Sequence, residues 1–293
     1  MIKTAVIGAS GYVGGNLWKA YRSRYPDCVG TAFSSDNPDL QRFDIRDPDL
    51  ASLRLEETGH QAVLIASANP NIAYCEQNRD AAIAVNVKGT LELARQIGRT
   101  RMQAIFLSSD YVFEGKTGPY DDDHPTRPTT EYGRHKAQVE RQLPSLSANY
   151  LILRLSKIYG VQKGDGTLLD EMATLLASGK EVRAARDQVF CPTYVGDLVQ
   201  TIHAIQDRGW LGVVNTCNPE RWSRYDIAFA LASAMQADRS LVKPISLYDI
   251  PAMAGRPLDT SMSSSRLSRD LQPRFTPLRE HIERVAALWR NAT

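Results

Sequence analysis

A chain of 293 residues, 43% hydrophobic and 23% charged, holds enough apolar material for one large or two modest folded domains. Its 35 Lys and Arg against 33 Asp and Glu leave a net charge of +2, so composition argues for neither a nucleic-acid partner nor a membrane surface. No apolar run reaches the ~18 residues a membrane-crossing helix needs, and Cys28, Cys75, Cys191 and Cys217 lie scattered without metal-ligand spacing, so no metal is expected.

The first apolar run, 3–7, reads as a buried strand. It is too short, and too soon followed by glycines, to be a secretion signal, which makes a cytoplasmic protein with reduced thiols the expectation. Gly8-Ala9-Ser10-Gly11-Tyr12-Val13-Gly14-Gly15 follows at once, and a helical pattern then runs over 16–25. Strand, glycine turn and helix start are the context a dinucleotide-binding unit requires. Glycines let the backbone approach a pyrophosphate, and a helix N-terminus offers it free N–H groups. Gly8, Ser10, Gly11, Tyr12, Val13 and Gly14 are therefore candidate cofactor residues.

A second strand is expected over 28–33, with its tip at Phe33-Ser34-Ser35. A carboxylate at this tip would select NAD by taking the ribose 2′-hydroxyl. Its absence, with serine hydroxyls present and Arg42 and Arg46 nearby, favours NADP(H), with NAD(H) as the alternative. Asp44 and Ile45 are placed to meet an adenine edge and face, ahead of a helix capped near Asp47-Pro48. A third strand over 62–66 ends in small residues, Ala66, Ser67 and Ala68, over which a cofactor could pass closely. Helical periodicity over 71–78 and 81–98 follows, with Asn86 inside the second stretch, where Asn is locally unfavourable.

A fourth strand, 104–107, leads into Ser108-Ser109-Asp110-Tyr111-Val112-Phe113, and a polar loop then reaches Tyr132-Gly133-Arg134-His135-Lys136. Tyr132 and Lys136 share a helix face. A phenol with a pKa near ~10 is a poor proton donor or acceptor at neutral pH, and a fixed ammonium is expected to pull it down. Ser109 could bind the substrate oxygen that Tyr132 protonates. These groups suit moving a proton on or off a C–O group while a partner moves a hydride, although the spacing alone also fits a plain surface helix. The alternation of strand and helix up to this point predicts an α/β fold, a doubly wound Rossmann sheet of parallel strands.

A further strand over 150–155 and a segment ending at Tyr159-Gly160 follow, after which the rhythm loosens. Helices are expected over 165–179, 223–236 and 278–291, a strand over 212–217, and loops over 187–198 and 253–260, the latter carrying Arg256. The division expected is a dinucleotide-binding domain over 1–160, with interleaved segments at about 190–220, and a smaller, mixed substrate-binding part over 161–293.

These residues resemble an extended short-chain dehydrogenase/reductase. The glycine turn matches that family's cofactor turn; Ser109, Tyr132 and Lys136 match its catalytic Ser-Tyr-Lys set; Asn86 falls at a helix Asn that holds the catalytic Lys through water. Within the family, Ser108 to Phe113, Gly115, Pro128, Tyr132-Gly133, Lys136, Glu140, Arg154-Leu155, Tyr159-Gly160, Cys191 to Tyr194, Asp197-Leu198 and Arg256-Pro257 are most similar to the dTDP-4-dehydrorhamnose reductase branch. The resemblance implies reduction of a 4-keto-6-deoxysugar nucleotide by NAD(P)H, with Tyr132 as acid and Lys136 on the nicotinamide ribose. Ser108 joins the implied cofactor contacts, and Ser109, Asp110, Phe113, Tyr132, Gln188 and Arg256 become the implied substrate contacts. A guanidinium at 256 suits a diphosphate.

Two loops depart from that branch. Lys157 stands where Trp is usual, and Asn71-Ile72-Ala73-Tyr74-Cys75-Glu76 keeps only the Glu of the usual run. The sugar and the base therefore stay open. So do two other readings: an NAD-dependent epimerase or dehydratase, and a non-catalytic NADP-binding regulatory subunit like that of methionine adenosyltransferase, which the Asn71–Glu76 loop also resembles. The family's homodimers make a homodimer an open expectation, with no stretch marking an interface.

Overall fold

The structure, a computed structural model, describes residues 1–250, 253 and 255–290. Position 254, inside the expected 253–260 loop, and position 291, the expected end of the last helix, lie outside the described residues. In chain order come β1 (Thr4–Ile7), α1 (Tyr12–Arg24), β2 (Gly30–Ala32), β3 (Gln41–Arg42), β4 (Ala62–Ile65), α2 (Ile72–Gln77), α3 (Arg79–Ile83), α4 (Thr90–Ile97), β5 (Gln103–Ser109), α5 (Glu131–Leu146) and β6 (Tyr150–Leu155). Then follow β7 (Ile158–Tyr159), α6 (Leu168–Ala177), β8 (Val182–Ala185), β9 (Val189–Phe190), β10 (Thr193–Tyr194), α7 (Val195–Asp207), β11 (Gly212–Thr216), β12 (Trp222–Ser223), α8 (Arg224–Met235), β13 (Val242–Ile245), α9 (Ser265–Asp270) and α10 (Leu278–Arg290).

A seven-stranded sheet runs β11-β6-β5-β4-β1-β2-β3. Thr4 to Ile7 register against Ala62 to Ile65, and those against Gln103 to Phe106, all in parallel. Every residue of β1, β4 and β5 is buried, the signature of strands covered on both faces. This is the doubly wound architecture the alternating sequence predicts. The order reverses at β1, which pairs with both β2 and β4, so the ligand crevice of such a sheet opens at the carboxyl ends of β1 and β4.

The chain forms two compact units. The first comprises Met1–Val112, Pro125–Arg154 and Val199–Val214. Its core joins Ile7, Ile65, Leu93, Ile97, Phe106, Leu143 and Ile152. The second comprises Phe113–His124, Leu155–Leu198 and Asn215–Thr293. There Tyr159, Leu169, Met172, Phe190, Ile227, Leu231 and Ile282 pack together, and β13 lies parallel to β8.

Local departures have identifiable causes. The first helix begins at Tyr12 rather than Asn16, because Gly14 and Gly15 lie in its first turn and let it close on the carbonyls of Gly8 and Ala9. No α-helix follows Asp47-Pro48; Ala51–Leu53 form one 3-10 turn, ended by Arg54 in the left-handed region, with Leu50, Leu53 and Leu55 buried on either side. The helix expected over 81–98 is interrupted by a π-helical stretch, Ala84–Gly89. At Gly89 a Cβ would lie 1.9 Å from the Ile45 carbonyl oxygen, so only glycine permits the approach.

Candidate active site

The turn after β1 is built for close backbone approach. Gly8 has φ +93°, and a Cβ there would stand 2.6 Å from the Ser67 nitrogen; one at Gly14 would stand 2.3 Å from the Gly8 oxygen. Helix α1 starts at Gly11 with no side-chain cap and no acidic residue in its first turn, which leaves its N–H groups and positive dipole end for an anion. Ser10, Gly11 and Tyr12 are exposed, and Val13, Ala66, Ser67 and Ala68 half-buried, so the turn has an open side. These residues fit the pyrophosphate of a dinucleotide.

Beyond β2, Phe33, Ser34, Ser35 and Arg42 line one surface pocket together with Ala32, Asp36 and Leu40. Two serines and an arginine suit a 2′-phosphate, against the repulsion of the Asp36 carboxylate that lines the same pocket. Two adenine assignments change. Ile45 is 5% exposed and belongs to the core; the apolar face open there is Phe33, 52% exposed. Asp44 is gripped bidentately by Arg46, at 2.9 and 2.6 Å, which holds its carboxyl below the usual range. The Arg46 guanidinium lies 4.8 Å from the Phe33 ring centroid.

The proton-handling groups assemble in the first unit. β5 ends at Ser109, and α5 begins at Glu131 with Thr130 as its cap, its hydroxyl accepting from the Gly133 N–H at 3.1 Å. A Cβ at Gly133 would meet the Tyr111 carbonyl oxygen at 2.2 Å, so this glycine seats the helix against the chain that leaves β5. The Ser109 hydroxyl neighbours the Tyr132 phenol and acts to lower its pKa. The Ser109 hydroxyl also donates to Asp110 at 3.0 Å and accepts from the Tyr111 N–H at 3.2 Å. Burial raises the Tyr132 phenol above its ordinary pKa, the Asp110 carboxylate adds to the rise, and the Ser109 hydroxyl opposes it. This is the opposite of the expected pull downward.

Lys136 does not offset the rise, because its ammonium is engaged elsewhere. Its Nζ donates to the Leu107 carbonyl at 2.7 Å and sits 4.5 Å from the Phe106 ring centroid, against 5.7 Å from that of Tyr132. The ammonium is buried under the sheet, and burial lowers it to about 8, with the Glu140 carboxylate opposing the fall. Glu140 in turn accepts from Ser108 at 2.5 Å and from Arg154 at 2.8 Å, in a cluster with the Arg154 and Glu140 side chains 5% and 6% exposed. Ser108, expected on the cofactor, therefore turns its hydroxyl to Glu140. Asn86, implied as the support of Lys136, instead grips the backbone of Asn69, accepting from its N–H at 2.7 Å and donating to its carbonyl at 3.0 Å.

The remaining substrate candidates lie in the second unit. Phe113 is 0% exposed and stacks on Tyr120 with centroids 4.3 Å apart, so it is a packing residue rather than an open contact. Gln188 is half-buried and accepts from Arg224 Nε at 3.2 Å. The Arg256 Nε is buried, with no hydrogen-bond partner among the described residues. Two residues named in the sequence without a role are supports of the site. Glu76 accepts the Glu131 N–H at 2.8 Å and so caps the helix of Tyr132; its position, the one residue kept from a familiar run, was the available signal. Glu140, four residues after Lys136, carried the ordinary signal of an i, i+4 pair. Among the described residues no group of His, Cys, Asp or Glu could hold a metal ion, and no helix is long and apolar enough to cross a membrane.

Comparison with known proteins addresses the chain as a whole. A dTDP-4-dehydrorhamnose reductase of Mycolicibacterium smegmatis is 32% identical over 241 residues, 81% of this chain and 72% of that one. Methionine adenosyltransferase 2 subunit beta of Danio rerio is 24% identical over 98% of this chain and 90% of its own length. The crystal structure of dTDP-4-dehydrorhamnose reductase from Bacillus anthracis in complex with NADP superposes with a TM-score of 0.80 at 23% identity, covering 98% of this chain and all of that one, which shows a shared fold. Residues 2–290 match the family described as the RmlD substrate binding domain, and the chain belongs to that family.

Proposed function

We propose that this protein is an NADPH-dependent reductase of a 4-keto-6-deoxysugar nucleotide, of the dTDP-4-dehydrorhamnose type. One observation carries the reading: a phenol kept protonated by burial, beside a serine at the end of a central strand, on the helix that also carries Lys136. Bound NADPH supplies the hydride that reduces the C4 ketone. Tyr132 donates its phenolic proton to the oxygen, which becomes the C4 hydroxyl, and the resulting phenolate is re-protonated from solvent. Ser109, its hydroxyl turned from Asp110, donates to the same oxygen and aligns it. Lys136 holds the nicotinamide ribose. The glycine turn and α1 bind the pyrophosphate, and Ser34, Ser35 and Arg42 the 2′-phosphate. Arg256 binds the substrate diphosphate.

The relatives named dTDP-4-dehydrorhamnose reductase, and the complex of one of their structures with NADP, support this reading over an epimerase or dehydratase. Tyr111 after Asp110, where a dehydratase needs a second carboxylate, also counts against elimination of water. A regulatory subunit has no need of a complete Ser-Tyr-Lys set. The test is oxidation of NADPH with dTDP-4-dehydrorhamnose as substrate. Turnover that depends on Tyr132 is expected; absence of turnover over a panel of 4-keto sugar nucleotides refutes the proposal.

A further inference from the structure

His135 stands between Tyr132 and Lys136 on α5, is 2% exposed, and has no part in the proposed chemistry. Its state can be deduced from its neighbour. Asn86 accepts from the Asn69 N–H and donates to the Asn69 carbonyl, so the orientation of its carboxamide is fixed by the backbone. Its Nδ2, a donor only, gives one N–H to the Asn69 carbonyl and has one left between His135 Nδ1 at 3.3 Å and Cys75 Sγ at 3.6 Å, and the imidazole nitrogen is the nearer and stronger acceptor. Nδ1 must therefore accept, and the ring proton sits on Nε2. That Nε2 is buried without a hydrogen-bond partner, 4.0 Å from the nearer Glu131 oxygen.

The contacts form one line. Asn69 follows Ala66-Ser67, whose backbone presses on the Gly8 turn where a cofactor pyrophosphate fits. Asn86 rises from the π-helical stretch, a distortion found mostly at functional sites. His135 closes the line one residue from Lys136. Glu76 fastens the same segment to the start of α5 a second time. We propose that His135 is a positioning residue: as the neutral Nε2–H tautomer it accepts from Asn86, ties the 66–76 segment to the helix of Tyr132 and Lys136, and lets go when Nδ1 is protonated. An Nδ1–H would face Nδ2–H donor to donor, and the tie would open.

The groups around the ring set when that happens. Glu131 on α5 and Glu76 on α2 favour the imidazolium, whereas burial and the charges of Arg134 and Lys136 oppose it, burial most of all. Arg79 on α3 neutralises part of the acidic side through Glu131, at 3.6 Å, and the buried thiol of Cys75 adds no charge while its own pKa is raised. The imidazole therefore stays neutral until the medium is acidic, and the tie weakens as pH falls.

The proposal deepens the reductase reading, so its test has an arm that needs no sugar nucleotide. NADPH titration by fluorescence, with purified full-length protein, should give a Kd that rises below the His135 pKa. His135→Phe keeps the bulk but removes the acceptor, and should raise that Kd about tenfold at all pH values, with kcat changed less than KM for NADPH. His135→Gln restores an acceptor that does not titrate, and should recover most of the affinity while abolishing the acid limb. Long-range proton–nitrogen NMR of the wild type should show the Nε2–H tautomer. An Nδ1–H tautomer, or an acid limb unchanged in His135→Gln, overturns the proposal. Failure of the wild type to reduce any sugar nucleotide would refute the reductase reading and leave the titration as the judge of His135.

Discussion

Glu140→Gln is the perturbation whose consequences the structure specifies most fully. The Glu140 carboxylate accepts from Arg154 through Nε, at 3.1 and 3.2 Å, and through Nη2 at 2.8 Å, and from Ser108 at 2.5 Å. Both charged side chains are almost wholly buried. Removing one partner of a buried pair strands the other, at a cost of about 3–5 kcal/mol. That is a large fraction of the stability of an ordinary domain, and corresponds to a fall of about 1 M or more in the urea midpoint of the transition involving the first unit. Arg154→Met with Glu140→Leu removes both charges and should cost less than either single change. A second readout follows from Lys136. The Glu140 charge holds the ammonium up against burial, so without it the pKa moves below about 8. Lys136 is charged below its pKa and neutral above it, so the alkaline fall of kcat/KM should move to lower pH. Urea denaturation and a pH–rate profile test the two halves separately. A Glu140→Gln midpoint within experimental scatter of wild type, with an unmoved alkaline limb, would refute the reasoning.

Tyr132→Phe removes the proton donor and should lower kcat about 10²- to 10⁴-fold while leaving the NADPH Kd unchanged; stopped-flow hydride transfer reads both. In the wild type, kcat/KM should fall as pH rises through about 8, where Lys136 loses its charge, and Lys136→Met should lack that limb. Gly14→Ala places a Cβ 2.3 Å from the Gly8 oxygen and should weaken NADPH and NADH alike. Arg42→Ala should weaken NADPH about tenfold or more, the worth of a hydrogen bond to a charged group, and leave NADH unaffected; equal loss of both would move the 2′-phosphate site elsewhere.

The doubly wound sheet was legible because β1, β4 and β5 are continuous apolar runs bounded by turn residues, and the glycines after β1 leave few other readings. The juxtaposition of Ser109 and Tyr132 was legible for the same reason: one ends a strand and the other opens the next helix. What stayed hidden depends on contacts distant in sequence. Phe113 looked like a substrate contact because it follows a motif, but Tyr120 stacks on it. Ile45 looked like an adenine face, yet its side chain turns into the core and Phe33 supplies the exposed ring. The π-helical stretch at Asn86 has no periodic signature, and the close passage of Gly89 against Ile45 joins segments distant in sequence.

The sign of the Tyr132 shift has a chemical meaning that the Tyr–Lys spacing concealed. A lowered phenol pKa serves the removal of a proton from an alcohol, because the phenolate is then the resting base. Reduction of a ketone asks the reverse: the phenol must hold its proton until the oxygen of the substrate demands it. Burial and the neighbouring Asp110 carboxylate ensure that. The cost falls after transfer, when a phenolate is left in the same surroundings. Lys136 Nζ stands 5.7 Å from the Tyr132 ring centroid with its ammonium on the Leu107 carbonyl, so it leaves the phenol protonated at rest. At neutral pH the phenol therefore rests in the form that reduction uses, and oxidation of the alcohol product should require a markedly higher pH than reduction.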